Sequence, residues 1–214
     1  MNIETYKKEA SIKHYTKNEI SNTEEKLIEK YFRSPVLDLG CGVGRTTKYL
    51  YDKKFEVIGV DIIEEMIKKA KGMYRKINFK IGDAGNLDFK DSSFNTVFFS
   101  FNGLDYIFPK QERIKALKEI SRVLKKNGLF IFSSHNPMAL FFKIRPKFWL
   151  RNLKRNSLFS NYKIESHPFG ELHTFYGTPK KQISLIESHT FLRSVNLYRK
   201  GMSDLHPHYV FIKT

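Results

Sequence analysis

The segment Gly40-Cys41-Gly42-Val43-Gly44 places three glycines in five residues, directly after the apolar run Val36-Leu37-Asp38-Leu39. Helical spacing begins immediately behind it, from Arg45 to Tyr51. A strand that turns through glycines into a helix lets the backbone approach a ligand closely, and the helix N-terminus adds unpaired N–H groups. Such a junction belongs to folds in which strands and helices alternate around a parallel sheet.

The rest of the chain follows that alternation for two thirds of its length. The pattern predicts a helix over 24–32 and strands over 36–39, 55–60, 77–81, 94–101 and 129–133. Between the strands, helices are predicted over 63–74 and 110–126, the latter stopped by Asn127-Gly128. From Asn136 to Thr178 the alternation fails around the basic, aromatic stretch FFKIRPKFWLRNLKRN, and then it returns. A helix is expected over 182–188, with strands over 195–199 and 208–213. The reading is one α/β domain with an insertion between its fifth and sixth strands.

Composition excludes several alternatives. The 214 residues are 41% hydrophobic, enough for a packed core. A single cysteine rules out a disulfide framework or a cysteine-based zinc site, and points to a reducing cytoplasm. No apolar run reaches the roughly 20 residues that span a bilayer, and the polar opening MNIETYKKEA lacks a secretory signal's apolar core. The net charge of +16 is unevenly spread, with no Asp or Glu between residues 120 and 164. Scattered lysine pairs elsewhere suit ordinary solvated faces.

Asp61 lies twenty-one residues beyond Gly40, at the end of the second predicted strand, where a carboxylate can accept both hydroxyls of a ribose. The same Asp could instead cap the following helix. A dinucleotide fingerprint would need a third glycine at position 45, which is Arg45. A nicotinamide-dependent oxidoreductase is disfavoured by that mismatch and by the turn Gly82-Asp83-Ala84.

Five segments, VLDLGCGVGRTTKYL, VIGVDII, FKIGDAGNLDF, SSFNTVFFSFN and ISRVLKKNGLFIFSS, together resemble the class I S-adenosylmethionine-dependent methyltransferases over roughly residues 34–134. The resemblance implies a Rossmann-like, doubly wound sheet of seven strands, the last antiparallel, here with a basic and aromatic cap insertion between strands 5 and 6. It implies S-adenosylmethionine as cofactor. Carried over by position, Asp38, Gly40, Cys41, Gly42 and Gly44 would hold its methionine portion and Asp61 its ribose. Ile62 would pack on the adenine face, Asp83 and Ala84 would meet its edge, and Ser100 and Phe101 would line the methyl-donor side. Asn95 and Thr190 depart from the Asp and Gly that many relatives carry there. A non-catalytic relative that binds the cofactor as a sensor shares the same motifs.

Four zones follow: an N-terminal helical lid over 1–33 with Tyr15 facing the cofactor, a cofactor-binding core over 34–135, a substrate cap over 136–178, and a final helix and strands over 179–214. Methyl transfer is an in-line displacement, in which alignment and exclusion of water matter most and a general base is optional. His135 and Asn136, directly after the fifth strand, are the candidate catalytic residues. Tyr106, Arg145, Trp149, His173 and Tyr176 are the candidate acceptor contacts. No metal is expected, because His167 and His173 are six residues apart with no third ligand in view. The arginines and lysines of the insertion suit a phosphorylated or nucleotide-linked small molecule, methylated on N or O. The same stretch also fits a membrane interface with a lipid-linked acceptor, or an RNA backbone. RNA is disfavoured by the lack of a separate binding module. The oligomeric state is open.

Overall fold

The computed structural model describes residues 2–16, 19–138, 140, 146–154, 160–199 and 205–214. Three helices open the chain, α1 (Asn2–Tyr6), α2 (Glu9–Thr16) and α3 (Asn22–Tyr31). The parallel half of the sheet follows, as β1 (Val36–Leu39), α4 (Arg45–Asp52), β2 (Val57–Asp61), α5 (Glu64–Met73), β3 (Asn78–Ile81) and β4 (Phe94–Phe99). A 3₁₀ turn over Gly103–Tyr106 leads to α6 (Lys110–Val123) and β5 (Leu124–Ser133). Beyond β5 come α7 (Pro146–Lys154), a hairpin of β6 (Tyr162–His167) and β7 (Gly170–Phe175), then α8 (Pro179–His189), β8 (Leu192–Tyr198) and β9 (His208–Lys213).

The main sheet has seven strands in the order β3-β2-β1-β4-β5-β9-β8. Strands β1 to β5 pair in parallel, while β9 runs antiparallel between β5 and β8. The seven-stranded sheet with an antiparallel last strand is thus as expected.

Helices cover both faces, so neighbouring residues of one strand enter opposite cores and the strands read as continuous apolar runs. In β4, Phe98 packs towards Leu27, Ile28 and Leu50, whereas Phe99 packs towards Leu104, Leu117 and Ile120. Phe130, Phe132 and Tyr209 stack at centroid spacings of 4.8 and 4.9 Å, tying β5 to β9.

Helix α6 ends three residues before its predicted limit. Leu124, fully buried, has already turned extended and pairs with Phe94. The ladder then shifts register and resumes at Thr96 with Leu129, with Asn127 left-handed at φ 63° in the intervening turn. Asn127-Gly128 therefore shapes a bulge rather than capping the helix.

The insertion contains structure that its sequence does not announce. Strands β6 and β7 form a separate two-stranded sheet, and Asn152 of α7 fastens that helix to it. The buried Asn152 side chain donates to Ile164 O (3.2 Å) and accepts from Ile164 N–H (2.9 Å). Tyr162-Lys163-Ile164-Glu165 of β6 alternates apolar and polar residues, yet all four are buried, so Lys163 and Glu165 face the interior as well.

Arg113 joins α6, the 3₁₀ turn and α8. Its buried guanidinium pairs with Asp105 at 3.1 Å, donates to Gln182 Oε1 at 2.8 Å and also donates to Leu104 O. Removing one partner of a buried pair leaves the other charge uncompensated. Arg113→Leu should therefore lower stability by about 3 kcal/mol, measured as a fall in the urea midpoint at unchanged slope.

Candidate active site

A pocket of about 430 Å³ opens where the strands β1, β2, β3 and β4 end. Its size falls in the range of small-molecule sites. The glycine turn builds one wall. Gly40 and Gly42 adopt φ of +64° and +55°, which side-chain-bearing residues rarely take. A Cβ on Gly40 would collide with the Phe99 ring, so the position is closed to any other residue. A Cβ on Gly42 would meet no protein atom within 4 Å, because its backbone borders open space.

Asp61 stands at the tip of β2. Its Oδ2 accepts from Gly42 N–H at 2.8 Å and its Oδ1 from Ile63 N–H at 2.9 Å. Burial raises its carboxyl above the usual carboxylate range, and these backbone donors oppose the rise. Each oxygen retains a lone pair for a further donor. Beside it, Ile62 presents an apolar side chain 40% exposed, and Gly82, Asp83 and Ala84 continue the wall. Asp83 is held by an Asx turn in which Gly85 N–H donates to Oδ1 at 2.8 Å.

Arg45, the residue that breaks the dinucleotide fingerprint, lines the pocket in a clamp. Its guanidinium donates to both carboxylate oxygens of Glu24 (2.7 and 2.9 Å) and to Glu19 O (2.9 Å). It also lies 4.3 Å from the Phe101 ring centroid. Glu24 caps α3 reciprocally with Ser21. Burial alone would raise the Glu24 carboxyl, but bonding to Arg45 outweighs it and holds the group below its ordinary value. The sequence carries the signal for this clamp. A cation in the first turn of a helix opposes the helix dipole and needs an acid, and Ser21-x-x-Glu24 supplies one.

The opposite wall is aromatic. Asn2, Ile3, Tyr6 and Tyr15 reach the pocket from α1 and α2, facing Phe101, Tyr106 and Phe108. Tyr6 sits 6.0 Å from Tyr15 and 5.8 Å from Tyr106, ring centre to ring centre. The N-terminus is tied down by Asn2, whose side chain donates to Tyr106 O (2.7 Å) and His173 O (2.9 Å) and accepts from His173 N–H (2.8 Å). Phe101 and Asn102 are left-handed, at φ 51° and 57°, a strained pair that swings the chain from β4 into the 3₁₀ turn.

Ten of the twelve residues predicted to bind cofactor line this pocket: Gly40, Cys41, Gly42, Asp61, Ile62, Asp83, Ala84, Ser100, Phe101 and Tyr15. Asp38 and Gly44 stand behind the wall. Asp38 is fully buried, its Oδ2 accepting from Thr47 Oγ1 at 2.6 Å while its Oδ1 has no partner. Burial, countered by the Thr47 hydrogen bond, pushes its carboxyl up to about 7. Gly44 opens α4 in the left-handed region. The Cys41 thiol is pushed up by burial and by Asp61 and Asp38, so it stays protonated.

The acceptor-side expectations fare differently. Tyr106 lines the pocket, and His173 reaches its mouth only through Phe108, whose ring stacks on it at 4.4 Å. His135 and Asn136, expected to face the acceptor, are not among the residues lining it. The His135 ring meets Asp105 Oδ2 through Nδ1 at 3.0 Å, and the His135 backbone N–H donates to the same oxygen at 2.6 Å. Asp105 draws it inward, because that carboxylate is buried and gathers donors from Arg113, Ser134 and Gln182. Asn136 is engaged locally, its Oδ1 accepting from Met138 N–H. Tyr176 is likewise interior, donating to Glu165 Oε1 at 2.6 Å. Trp149 is not among the lining residues and packs edge-on to Phe148. Arg145 lies outside the described residues. Phe108 and Glu112, which do line the pocket, carry no sequence signal that separates them from ordinary loop and helix residues. Among the described residues no group of three metal-ligating side chains comes together, and no helix is long and apolar enough to cross a membrane.

The layered α/β architecture and the strand-end pocket define a class I methyltransferase fold. Residues 36–128 match the family model of a methyltransferase domain. Among relatives, a demethylmenaquinone methyltransferase of Paenarthrobacter aurescens is 32% identical over 135 residues, which are 62% of this chain and 50% of that protein. The chain spans about half the length of the curated relatives it matches. The fold also matches a SAM-dependent methyltransferase from Methanosarcina mazei, with TM-score 0.72 and 22% identity over 92% of this chain and 99% of that one. A 1,6-didemethyltoxoflavin-N1-methyltransferase from Burkholderia thailandensis, solved with S-adenosylhomocysteine, gives TM-score 0.58 and 18% identity over 84% and 70% of the two chains.

The pocket fits that cofactor on its own chemistry. A carboxylate with two spare lone pairs suits a ribose, the exposed Ile62 suits a flat base, and the gap beside Gly42 admits a group against the backbone.

The buried Asp38 carboxyl gives a pH test. Its folded-state value of about 7 exceeds the ordinary one of about 3.9. The folded chain therefore holds a proton that the unfolded chain releases, and this favours folding most at low pH. Relative to Asp38→Asn, the parent should lose stability, on the order of a few kcal/mol, between pH about 4 and about 7. Paired urea titrations across that window measure it.

Proposed function

We propose that the chain is an S-adenosylmethionine-dependent methyltransferase that moves a methyl group to an N or O atom of a small molecule. The observation that carries this reading is one continuous pocket with a nucleoside-type wall, Gly40, Gly42, Asp61 and Ile62, facing an aromatic wall, Tyr6, Tyr15 and Tyr106. When bound, the cofactor supplies a methyl group on a sulfonium, with a neutral thioether as leaving group.

In this reading Asp61 accepts the ribose hydroxyls, and Ile62 and Ala84 pack on the base beside Asp83. The backbone of Gly40 to Gly42 takes the methionine portion, with Asp38 and Gly44 shaping that turn from behind. Ser100 and Phe101 border the reacting side. Residues 1–33 act as a lid over the core of 34–135, residues 136–178 complete the acceptor side, and 179–214 finish the sheet. The lid excludes water, because Tyr6 and Tyr15 seal the pocket against Val43, Ile63 and Met66.

The small anionic acceptor expected from the basic insertion draws limited support from the described residues. Arg45 is the one cation among those lining the pocket, and it is committed to Glu24. Neither Trp149 nor any other described residue of α7 is among those lining the pocket.

Asp61→Ala should leave the chain folded, with an unchanged circular dichroism spectrum. It should weaken S-adenosylhomocysteine binding by at least about tenfold, the size of one or two lost charge-assisted hydrogen bonds. Isothermal titration measures it, and unchanged affinity would move the ribose elsewhere.

A further inference from the structure

The acceptor side of the pocket has a chemical character of its own. Ile3, Tyr6, Tyr15, Tyr106 and Phe108 form its described surface, and Phe108 is 47% exposed at the mouth. Rings spaced about 6 Å apart offer flat, apolar faces on which another flat ring packs well. Charge sharpens the selection. Among the described lining residues Asp61, Asp83 and Glu112 are acidic, and the single cation, Arg45, is held by Glu24 at 2.7 Å with its flat side on Phe101. A phosphorylated compound entering here would meet three carboxylates and no uncommitted cation on those walls.

The lining also restricts which atom can attack. Desolvation pushes the hydroxyls of Tyr6, Tyr15 and Tyr106 up, so at neutral pH they remain protonated and take no proton from an acceptor. Glu112 is engaged with Lys115 at 2.8 Å, and the rings of His135, His167 and His173 do not line the pocket. An alcohol gains from a base beside it, whereas an uncharged nitrogen attacks with its own lone pair.

We propose that the acceptor is an uncharged aromatic ring compound with a weakly basic nitrogen, packed against Tyr6, Tyr15, Tyr106 and Phe108; this rests on the methyltransferase reading above. The nitrogen lone pair forms the new N–C bond as the C–S⁺ bond breaks. The bonding pair stays on sulfur, which leaves as a neutral thioether, and the nitrogen takes the positive charge. Where that nitrogen carries a hydrogen, its proton passes to water on release. Tyrosine faces and the surrounding carboxylates favour the cation that forms.

The test uses protein saturated with S-adenosylhomocysteine and titrated with quinoline, 1-naphthol and phenyl phosphate. Mass spectrometry then follows methyl transfer from S-adenosylmethionine to each. Quinoline should bind at least about tenfold more tightly than phenyl phosphate, about 1.4 kcal/mol, and should yield N-methylquinolinium. Phe108→Ala should weaken quinoline binding at least about fivefold and leave S-adenosylhomocysteine affinity unchanged, a split that general loss of structure would not give. Tighter binding of phenyl phosphate, or no binding of quinoline, overturns the proposal. Methyl transfer to 1-naphthol in place of quinoline overturns the nitrogen assignment. Failure of S-adenosylhomocysteine itself to bind is a separate outcome that overturns the methyltransferase reading and this proposal with it.

Discussion

The hydrogen bond from Gly42 N–H to Asp61 Oδ2, 2.8 Å long, ties the turn after β1 to the tip of β2. The second oxygen of the same carboxylate receives Ile63 N–H just before α5 begins. One side chain thus holds three segments at the carboxyl edge of the sheet. Only glycine takes the φ of +55° at position 42 without strain. The glycine turn and the aspartate are one device, and the pocket wall exists because both are present.

A second support stands behind the other side of the pocket. Asp105 and Arg113, both fully buried, pair at 3.1 Å, and His135, Ser134 and Gln182 close around them. That cluster anchors the 3₁₀ turn from which Tyr106 enters the aromatic wall. The wall is completed from the far end of the chain, because Asn2 bonds to Tyr106 O and His173 O. The two walls rest on different physics. One is backbone geometry and charge fixed by the sheet, and the other is aromatic packing contributed by helices that cross it.

What was legible in the sequence follows from this division. Strands buried on both faces and a glycine turn leave strong local marks, so β1, β4, β5, the turn and Asp61 can all be read from residue order. The β6–β7 hairpin is not read, although Tyr162-Lys163-Ile164-Glu165 alternates apolar and polar residues, because so short a run is lost beside the basic, aromatic stretch that precedes it. The setting of His135 is likewise decided by tertiary contacts. Position after a strand end suggests a crevice, but the buried Asp105 carboxylate outcompetes the crevice for the imidazole. Glu24 and Arg45 lie twenty-one residues apart, and their bidentate pairing is a tertiary fact that only the capping-box pattern hinted at. The basic insertion drew attention to an anionic acceptor, whereas the pocket lining is decided by Tyr6, Tyr15, Tyr106 and Phe108, which come from elements far apart in sequence.

The most direct test of the central claim is a crystal structure of the protein grown with S-adenosylhomocysteine. The ribose hydroxyls should be found on the Asp61 carboxylate, the base between Ile62 and Ala84, and the sulfur facing the tyrosine wall at Tyr106. A ligand bound elsewhere, or seated in the pocket with its ribose away from Asp61, would contradict the account.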